Sequence, residues 1–282
     1  MKIKIVSDST CDLTKELIEK YNISVTPLVI LKDDKEYYDG VDITPMDIFE
    51  YVDSGKGICH TSAINTQNYI DIFSQYTSDY DAVISFHISS DMSVCYANAC
   101  TAAEELGNVY VIDSRNLSTG IGHLVLDAAI MAQEGKLSPQ EIVDIINEEK
   151  AKLDVSFVID TLKYLHKGGR CSGVAALGAN LLKLKPCIEV TEGKMDVGKK
   201  YRGNFANVII QYVRDRLSDL EAIDPRRIFI TYAPGTPDSV VQTVKDKVTK
   251  LNYFEEILTS TAGCSVSNHC GPVCLGVLFF RK

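Results

Sequence analysis

The sequence predicts an α/β protein built as two α/β domains, the first around a mostly parallel sheet. Three observations carry that expectation. Apolar runs of strand length alternate with amphipathic helical stretches from the start of the 282-residue chain, the pattern of a sheet whose strands are joined by crossover helices. The alternation gives way to a long helical stretch that ends near residue 150, and then begins again. A content of 45% hydrophobic and 24% charged residues is that of a soluble globular protein, in a length that suits one large or two ordinary domains.

Taken in order, "IKIVSD" reads as the first strand, followed by a helix from about Leu13 to Lys20, the strand "VTPLVIL", a helix after Thr44, the strand "AVISFH", a helix after Ser93 and the strand "VYVID". A helical pattern from Gly120 to Gln133 precedes "LSPQEIVDIINEEKAKL", where Ser138 suits an N-cap and Pro139 the first helical position. The predicted domains are therefore residues 1–150 and 151–282. In the second, "VSFVID" leads to a short helix ending at "HKGGR" and a small-residue helix from about Ser172 to Leu184. A hairpin around Gly193, a helix from Asn204 to Leu217, the strand "RIFITYA", a helix from Pro237 to Lys250, and the strands "FEEILTS" and "VCLGVLFF" complete it.

Composition excludes several functions. A formal net charge of -9 opposes nucleic-acid binding, which draws its affinity from clustered Lys and Arg. No apolar run approaches the roughly 20 residues of a membrane-spanning helix, and "MKIKIVSDST" lacks a secretory signal's apolar stretch, so no membrane insertion and a cytoplasmic location are expected. Nine scattered cysteines are expected to be reduced thiols. "GVAALGAN" has Ala179 and Asn180 where a P-loop needs Lys and a hydroxyl, "GIGHLV" lacks the third glycine of a dinucleotide fingerprint, and no G-x-S-x-G elbow occurs. Cys264, His269, Cys270 and Cys274 lie close in sequence without the C-x2-C pairs of structural zinc sites, so no metal and no cofactor are expected.

In parallel sheets ligands sit beyond the carboxyl ends of the strands, which singles out Asp8, Ser9, Thr10, Ser89, Ser90, Ser93, Asp113 and Ser114. Asp8, Asp113 and Asp160 are expected to cap backbone turns there. Two hydroxyl clusters stand out, Ser89 to Ser93 and the pair Thr61 and Ser62 in "CHTSAINTQNY". Each by itself is also explained by helix capping, in the second case by Asn65 or Thr66. Together they offer hydroxyls and helix N-termini suited to an anion. Neither contains Lys or Arg, which favours a carboxylate over a phosphate.

The chain resembles the DegV family of bacterial fatty acid binding proteins, which includes the fatty acid kinase B subunits. The likeness rests on "IVSDSTCDL" (5–13), "TS" (61–62), "SSDMSVCYANA" (89–99), "VIDSRNLSTGIG" (111–122), "YLHKGGRCSG" (164–173), "LLKLKPCIEVTEGKM" (181–195) and "HCGPVCLG" (269–276). It implies a ligand cleft between two α/β domains, holding one long-chain fatty acid. It also implies a carboxylate bound at Thr61 and Ser93 with Ser62 and His269 as neighbours, and no catalytic residue. Arg170 and Arg202 resemble the family's basic residues near the carboxylate, where a partner fatty acid kinase forms an acyl phosphate. Two departures from the family pattern are visible: Ala63-Ile64 follow Thr61-Ser62, and Asp91 and Val94 stand where glycines are usual. A turn needing φ > 0 is expected there, as is repulsion of a carboxylate by Asp91 unless that side chain turns to solvent.

The energetics suit such a ligand. About 15 buried methylenes contribute on the order of 12 kcal/mol before ordering costs, against about 1.5 to 3 kcal/mol for each charge-assisted hydrogen bond. The small residues of "SGVAALGANLL" suit either a tail tunnel or close helix packing. Two alternatives remain: an acyl ester hydrolase with Ser93 or Ser62 as nucleophile and His269 as base, and a binding protein for another carboxylate.

Overall fold

The computed structural model describes residues 1–175 and 184–282. The first half contains β1 (Ile3–Asp8), α1 (Lys15–Lys20), β2 (Ser24–Thr26), β3 (Val29–Lys32), β4 (Lys35–Tyr38), α2 (Pro45–Asp53), β5 (His60–Ser62), α3 (Thr66–Thr77), β6 (Ala82–His87), α4 (Cys95–Leu106), β7 (Val109–Asp113), α5 (Thr119–Glu134) and α6 (Pro139–Glu149). The second contains β8 (Leu153–Ile159), α7 (Lys163–Gly168), α8 (Ser172–Ala175), β9 (Leu184–Thr191), β10 (Lys194–Arg202), α9 (Phe205–Arg216), β11 (Ile223–Tyr232), α10 (Asp238–Lys250), β12 (Ile257–Thr261), α11 (Cys264–Cys270) and β13 (Cys274–Arg281).

The N-terminal sheet, ordered β2-β1-β6-β7, is parallel throughout. Its central strands β1 and β6 are buried along almost their whole length, polar residues included, because helices cover both faces. Local signals set the helix starts. Thr44 and Ser138 each form a capping box, with Asp47 and Glu141, and Asn65 and Asn204 accept the backbone N–H three residues on. Glu192 and Gly193, both at positive φ, close the β9–β10 hairpin.

Two sequence expectations change, and the strand direction of the second sheet, left open by the sequence, is decided. "VTPLVIL" is two strands in different sheets: Pro27, which has no N–H to give a ladder, separates β2 from β3. β3 instead pairs antiparallel with β4 and β5 in a small third sheet. The sheet of the second half, β10-β9-β8-β13-β11-β12, is antiparallel except between β11 and β12. Leu184 opens β9 rather than ending a helix. The small-residue run, which suits either a tail tunnel or close helix packing, lies largely in 176–183, outside the described residues. Its described Gly173 packs tightly, since a Cβ there would stand 2.2 Å from the Asp196 carboxylate.

Helix α5 joins the halves. From Thr119 to Ala129 it is buried on every side, as a helix enclosed between sheets must be. Ile121, Leu124 and Val125 share one core with Ile84 and Phe86 of β6 and with Phe229, Leu278 and Phe280 of β11 and β13. The glycines of "GIG" serve this packing: a Cβ on Gly122 would lie 2.9 Å from the Cys11 carbonyl oxygen. Arg227 binds Asp127 of α5 at 2.9 Å and Glu256 at 2.6 Å, an ion pair across the same junction.

Candidate functional site

A cavity of about 610 Å3 opens beyond the carboxyl ends of β1 and β6 and reaches residues of both halves. That volume falls within the roughly 300–1,000 Å3 of small-molecule sites. Thr61, Ser62, Ser93 and His269 all line it, as does Arg170. Leu28, Ile88, Met92, Leu117, Met195 and Val266 give it an apolar body. Past Leu117, Val266 and Cys270 lies a narrow apolar space of about 20 Å3 bounded by Phe157, Ala233 and Leu278.

Each polar group is held by a different element. Thr61 sits on β5 opposite Ile30 of β3, and its Oγ1 lies 3.4 Å from His269 Nε2 on the last turn of α11. The Ser62 hydroxyl makes no hydrogen bond to a described residue, so it is free to meet a ligand. Ser93 occupies the loop before α4, where its Oγ accepts the Cys95 N–H at 3.3 Å. Ser89 and Ser90 are committed to structure: Ser89 donates to the Gly193 carbonyl at 2.7 Å and Ser90 to Asp113 at 2.6 Å. Gly193 is required at that contact, having φ +83° and space for no side chain between Ser89 and Arg115.

Burial, with Arg170 as a smaller cause, pushes the His269 pKa down to about 4, so the imidazole is neutral at neutral pH. The two glycines of "KGGR" make this position possible. A Cβ on Gly168 would stand 2.1 Å from His269 Nδ1, and Gly169 ends α7 at φ +67°.

Helix α11 is clasped at its start by two aspartates from the first half. Asp12 accepts the Gly263 N–H at 2.8 Å, and Asp39 accepts those of Cys264 and Ser265 at 2.7 and 2.9 Å. Both carboxylates thereby satisfy orphan donors at a helix start. Burial raises the Asp12 pKa to about 8 and that of Asp8 to about 6. Asp8 accepts from Thr10 and from the Ile88 N–H, and Asp113 from the Ser90 and Arg115 N–H groups, the turn-capping roles expected of them. Asp160 differs: its carboxylate binds Lys185 at 2.6 Å.

The expectations for Asp91 and Val94 change as well. Neither adopts positive φ. Asp91 lines the cavity but is countered by Arg115 at 2.5 Å and Lys194 at 3.6 Å, so its charge is paired rather than simply turned away. Arg202 is exposed at the far end of β10, seven residues or roughly 20 Å of strand beyond Met195, and does not line the cavity. Sequence reasoning missed Ser265, whose buried hydroxyl has no partner and which lines the cavity one helical turn before His269. The i, i+4 spacing of Ser265 and His269 was the available signal.

His269 Nε2 faces Thr61, and among the described residues no carboxylate bonds its Nδ1. A hydrolytic nucleophile–base–orienter chain is therefore not assembled around Ser62 or Ser93. Among the described residues no three His, Cys, Asp or Glu side chains gather as metal ligands, and no helix is long and apolar enough to cross a membrane.

An α/β scaffold enclosing a cavity with an apolar body and a few convergent hydroxyls is built to hold an amphipathic small molecule. The chain belongs to the DegV family, whose model, described as "Uncharacterised protein, DegV family", it matches over residues 2–282. A DegV domain-containing protein of Clostridium acetobutylicum is 33% identical over 100% of this chain and 99% of its own length. Among solved structures, a fatty acid binding DegV family protein from Thermus thermophilus superposes with a TM-score of 0.91 at 27% identity, covering 100% of both chains. A stearic acid-binding protein from Eubacterium ventriosum does so with a TM-score of 0.86 at 28% identity, covering 99% of this chain and 98% of that one.

Proposed function

We propose that this protein binds one long-chain fatty acid, with its carboxylate against Thr61, Ser62, Ser93 and His269 and its tail in the apolar body of the cavity. The observation that carries the reading is the Thr61–His269 pair at 3.4 Å on the wall of a 610 Å3 cavity whose depth is apolar. Neutral hydroxyls and a neutral imidazole orient a carboxylate, while the tail supplies affinity at about 0.8 kcal/mol per methylene. The fatty acid bound by the Thermus and Eubacterium relatives supports the same ligand class here. On this reading the lobes 1–150 and 151–282 share the ligand between them, and the nine free thiols fit a reducing, cytoplasmic setting.

The protein is then a carrier and not an enzyme, presenting its ligand to a fatty acid kinase for acyl phosphate formation. On this reading Arg170, an exposed residue of the cavity lining, meets the partner or a phosphoryl group, and Arg202 meets the partner at a distance from the cavity. Native mass spectrometry of protein purified without added lipid is expected to show one long-chain acid per chain. Protein that arrives empty and ignores added stearate would refute the reading.

A further inference from the structure

Beside Ser93 the two halves of the chain meet along a seam in the cavity wall. On one side runs the loop of residues 88–94, between β6 and α4, which supplies Met92 and Ser93 to the lining. On the other stands the tip of the β9–β10 hairpin, which supplies Met195. Met92 and Met195 are buried and belong to one apolar cluster, so the two side chains line the inner face of the seam. Methionine is unbranched and repacks readily, which suits a wall that parts and reseals.

Polar contacts one residue further out hold the seam shut. Asp91, next to Met92, binds Arg115 at 2.5 Å and Lys194, next to Met195, at 3.6 Å. The Arg115 N–H donates to Asp113 at 2.9 Å, which fixes the residue to the first half, while its Nη2 donates across the seam to the Glu192 carbonyl. Ser89 donates across it to the Gly193 carbonyl at 2.7 Å. Asp91 thus both orients the guanidinium that reaches over and binds the lysine opposite.

The rest of the junction is built differently. Helix α5 is buried between the sheets, and α11 is clasped by the buried Asp12 and Asp39. At the seam the side chains of Asp91, Arg115 and Lys194 are 26%, 35% and 72% exposed, so water and salt compete for them. The contact is also short, because β9 pairs with β8 only as far as Val190 and the tip beyond it has no third strand beside it. A polar, partly exposed contact confined to a hairpin tip opens at lower free energy than buried core.

We propose that this seam is the portal through which an acyl chain enters and leaves the cavity, with Asp91, Arg115 and Lys194 as a clip that sets the rate of exchange. The proposal rests on the fatty acid reading for the nature of the cargo. An apolar tail threaded past Thr61, Ser93 and His269 would strip water from polar groups it cannot bond, at a cost. Parting Met92 from Met195 admits the tail directly to the apolar body of the cavity.

The experiment has two arms. Lipid-free protein with labelled methionine methyls reports opening directly, since of the five methionines only Met92 and Met195 line the cavity. In the Arg115→Ala, Asp91→Asn double variant, which removes the clip without leaving an unpaired carboxylate, these two methyls are expected to show microsecond-to-millisecond exchange that Met131 does not. The second arm follows release of bound parinarate, a fluorescent fatty acid, into excess serum albumin by stopped flow. Release from the double variant is expected to be about tenfold faster than from the wild type, with capture faster by a similar factor. Arg115→Lys, which keeps the charge but lacks the fork that reaches two partners, is expected to fall between them. Raising salt from about 0.1 M to about 1 M is expected to speed release from the wild type several-fold and to leave the double variant as it was; the wild-type half of that comparison needs no variant to fold. Methionine methyls that stay sharp, release that ignores both salt and substitution, or faster release with unchanged capture would overturn the portal. Protein that binds no parinarate refutes the fatty acid reading instead, and the seam is then decided by the methyls.

Discussion

Gly168→Ala tests the geometry on which the proposed carboxylate site depends. The added methyl carbon would stand 2.1 Å from His269 Nδ1, 2.9 Å from Cε1 and 3.2 Å from Cγ. Non-bonded heavy atoms rest about 3.5 Å apart, so the imidazole must retreat by more than about 1 Å. The Thr61 contact, already 3.4 Å long, has no slack to follow it. The hydrogen bond from His269 to a bound carboxylate is then lost or misaligned. A bond to a charged group contributes about 1.5–3 kcal/mol, which is roughly 10- to 150-fold in affinity. Isothermal titration with stearate measures the loss, and thermal melts confirm that the variant folds. The decisive comparison is a double-mutant cycle with His269→Ala, in which there is no ring to displace. There Gly168→Ala is expected to add almost nothing. Unchanged affinity in the single variant, or additive losses in the double, would refute the argument.

Other outcomes follow from neighbouring parts of the structure. Thr61→Val combined with Ser93→Ala is expected to weaken stearate by roughly 3–6 kcal/mol while sparing the matching fatty alcohol, and calorimetry with both ligands removes the site assignment if the acid binds as before. Arg115→Ala strips Asp91 of its 2.5 Å partner and leaves its charge beside the cavity countered only by the exposed Lys194 at 3.6 Å, so stearate affinity should fall several-fold, with Asp91→Asn restoring it; failure of that rescue rules out the charge explanation. His123 is fully buried and its pKa is pushed down to about 3, by burial first and by nearby Arg227 second. A histidine with a folded-state pKa below its unfolded value of about 6.5 costs nothing above that pH, and stability falls as pH drops below it. Between about pH 6.5 and pH 5 the wild type should therefore lose roughly 2 kcal/mol more than His123→Gln, read from urea midpoints; parallel curves would contradict this.

Much of the site's inventory was legible before any coordinates. Thr61, Ser62 and Ser93 stand out because hydroxyls at strand ends and helix starts have few neighbours in sequence that need them, and His269 because it joins them through the family pattern. What no such pattern conveys is which hydroxyls are already spent. Ser89 and Ser90 look like Ser93 in sequence, yet the hairpin tip at Gly193 and the carboxylate of Asp113 consume them. The distance of Arg202 from the cavity is equally silent, since it depends on which end of a strand a residue occupies.

By itself the sequence determined the α/β class, most of the helices, the strands of the two large sheets, and the caps at Ser138 and, with Thr66 as the alternative, Asn65, because apolar periodicity and capping act within a few residues; β4, β5 and α11 were not expected from it. Tertiary structure alone decided the antiparallel order of the second large sheet and the three-stranded sheet beside it. It also placed Asp12 and Asp39 at the head of α11, across separations of 251 and 225 residues, and set the loop of Ser89 and Asp91 against the hairpin tip at Gly193 and Lys194. Strand direction and the meeting of distant polar atoms follow from how whole elements pack to bury their apolar faces, and that competition is settled only when the entire chain is folded.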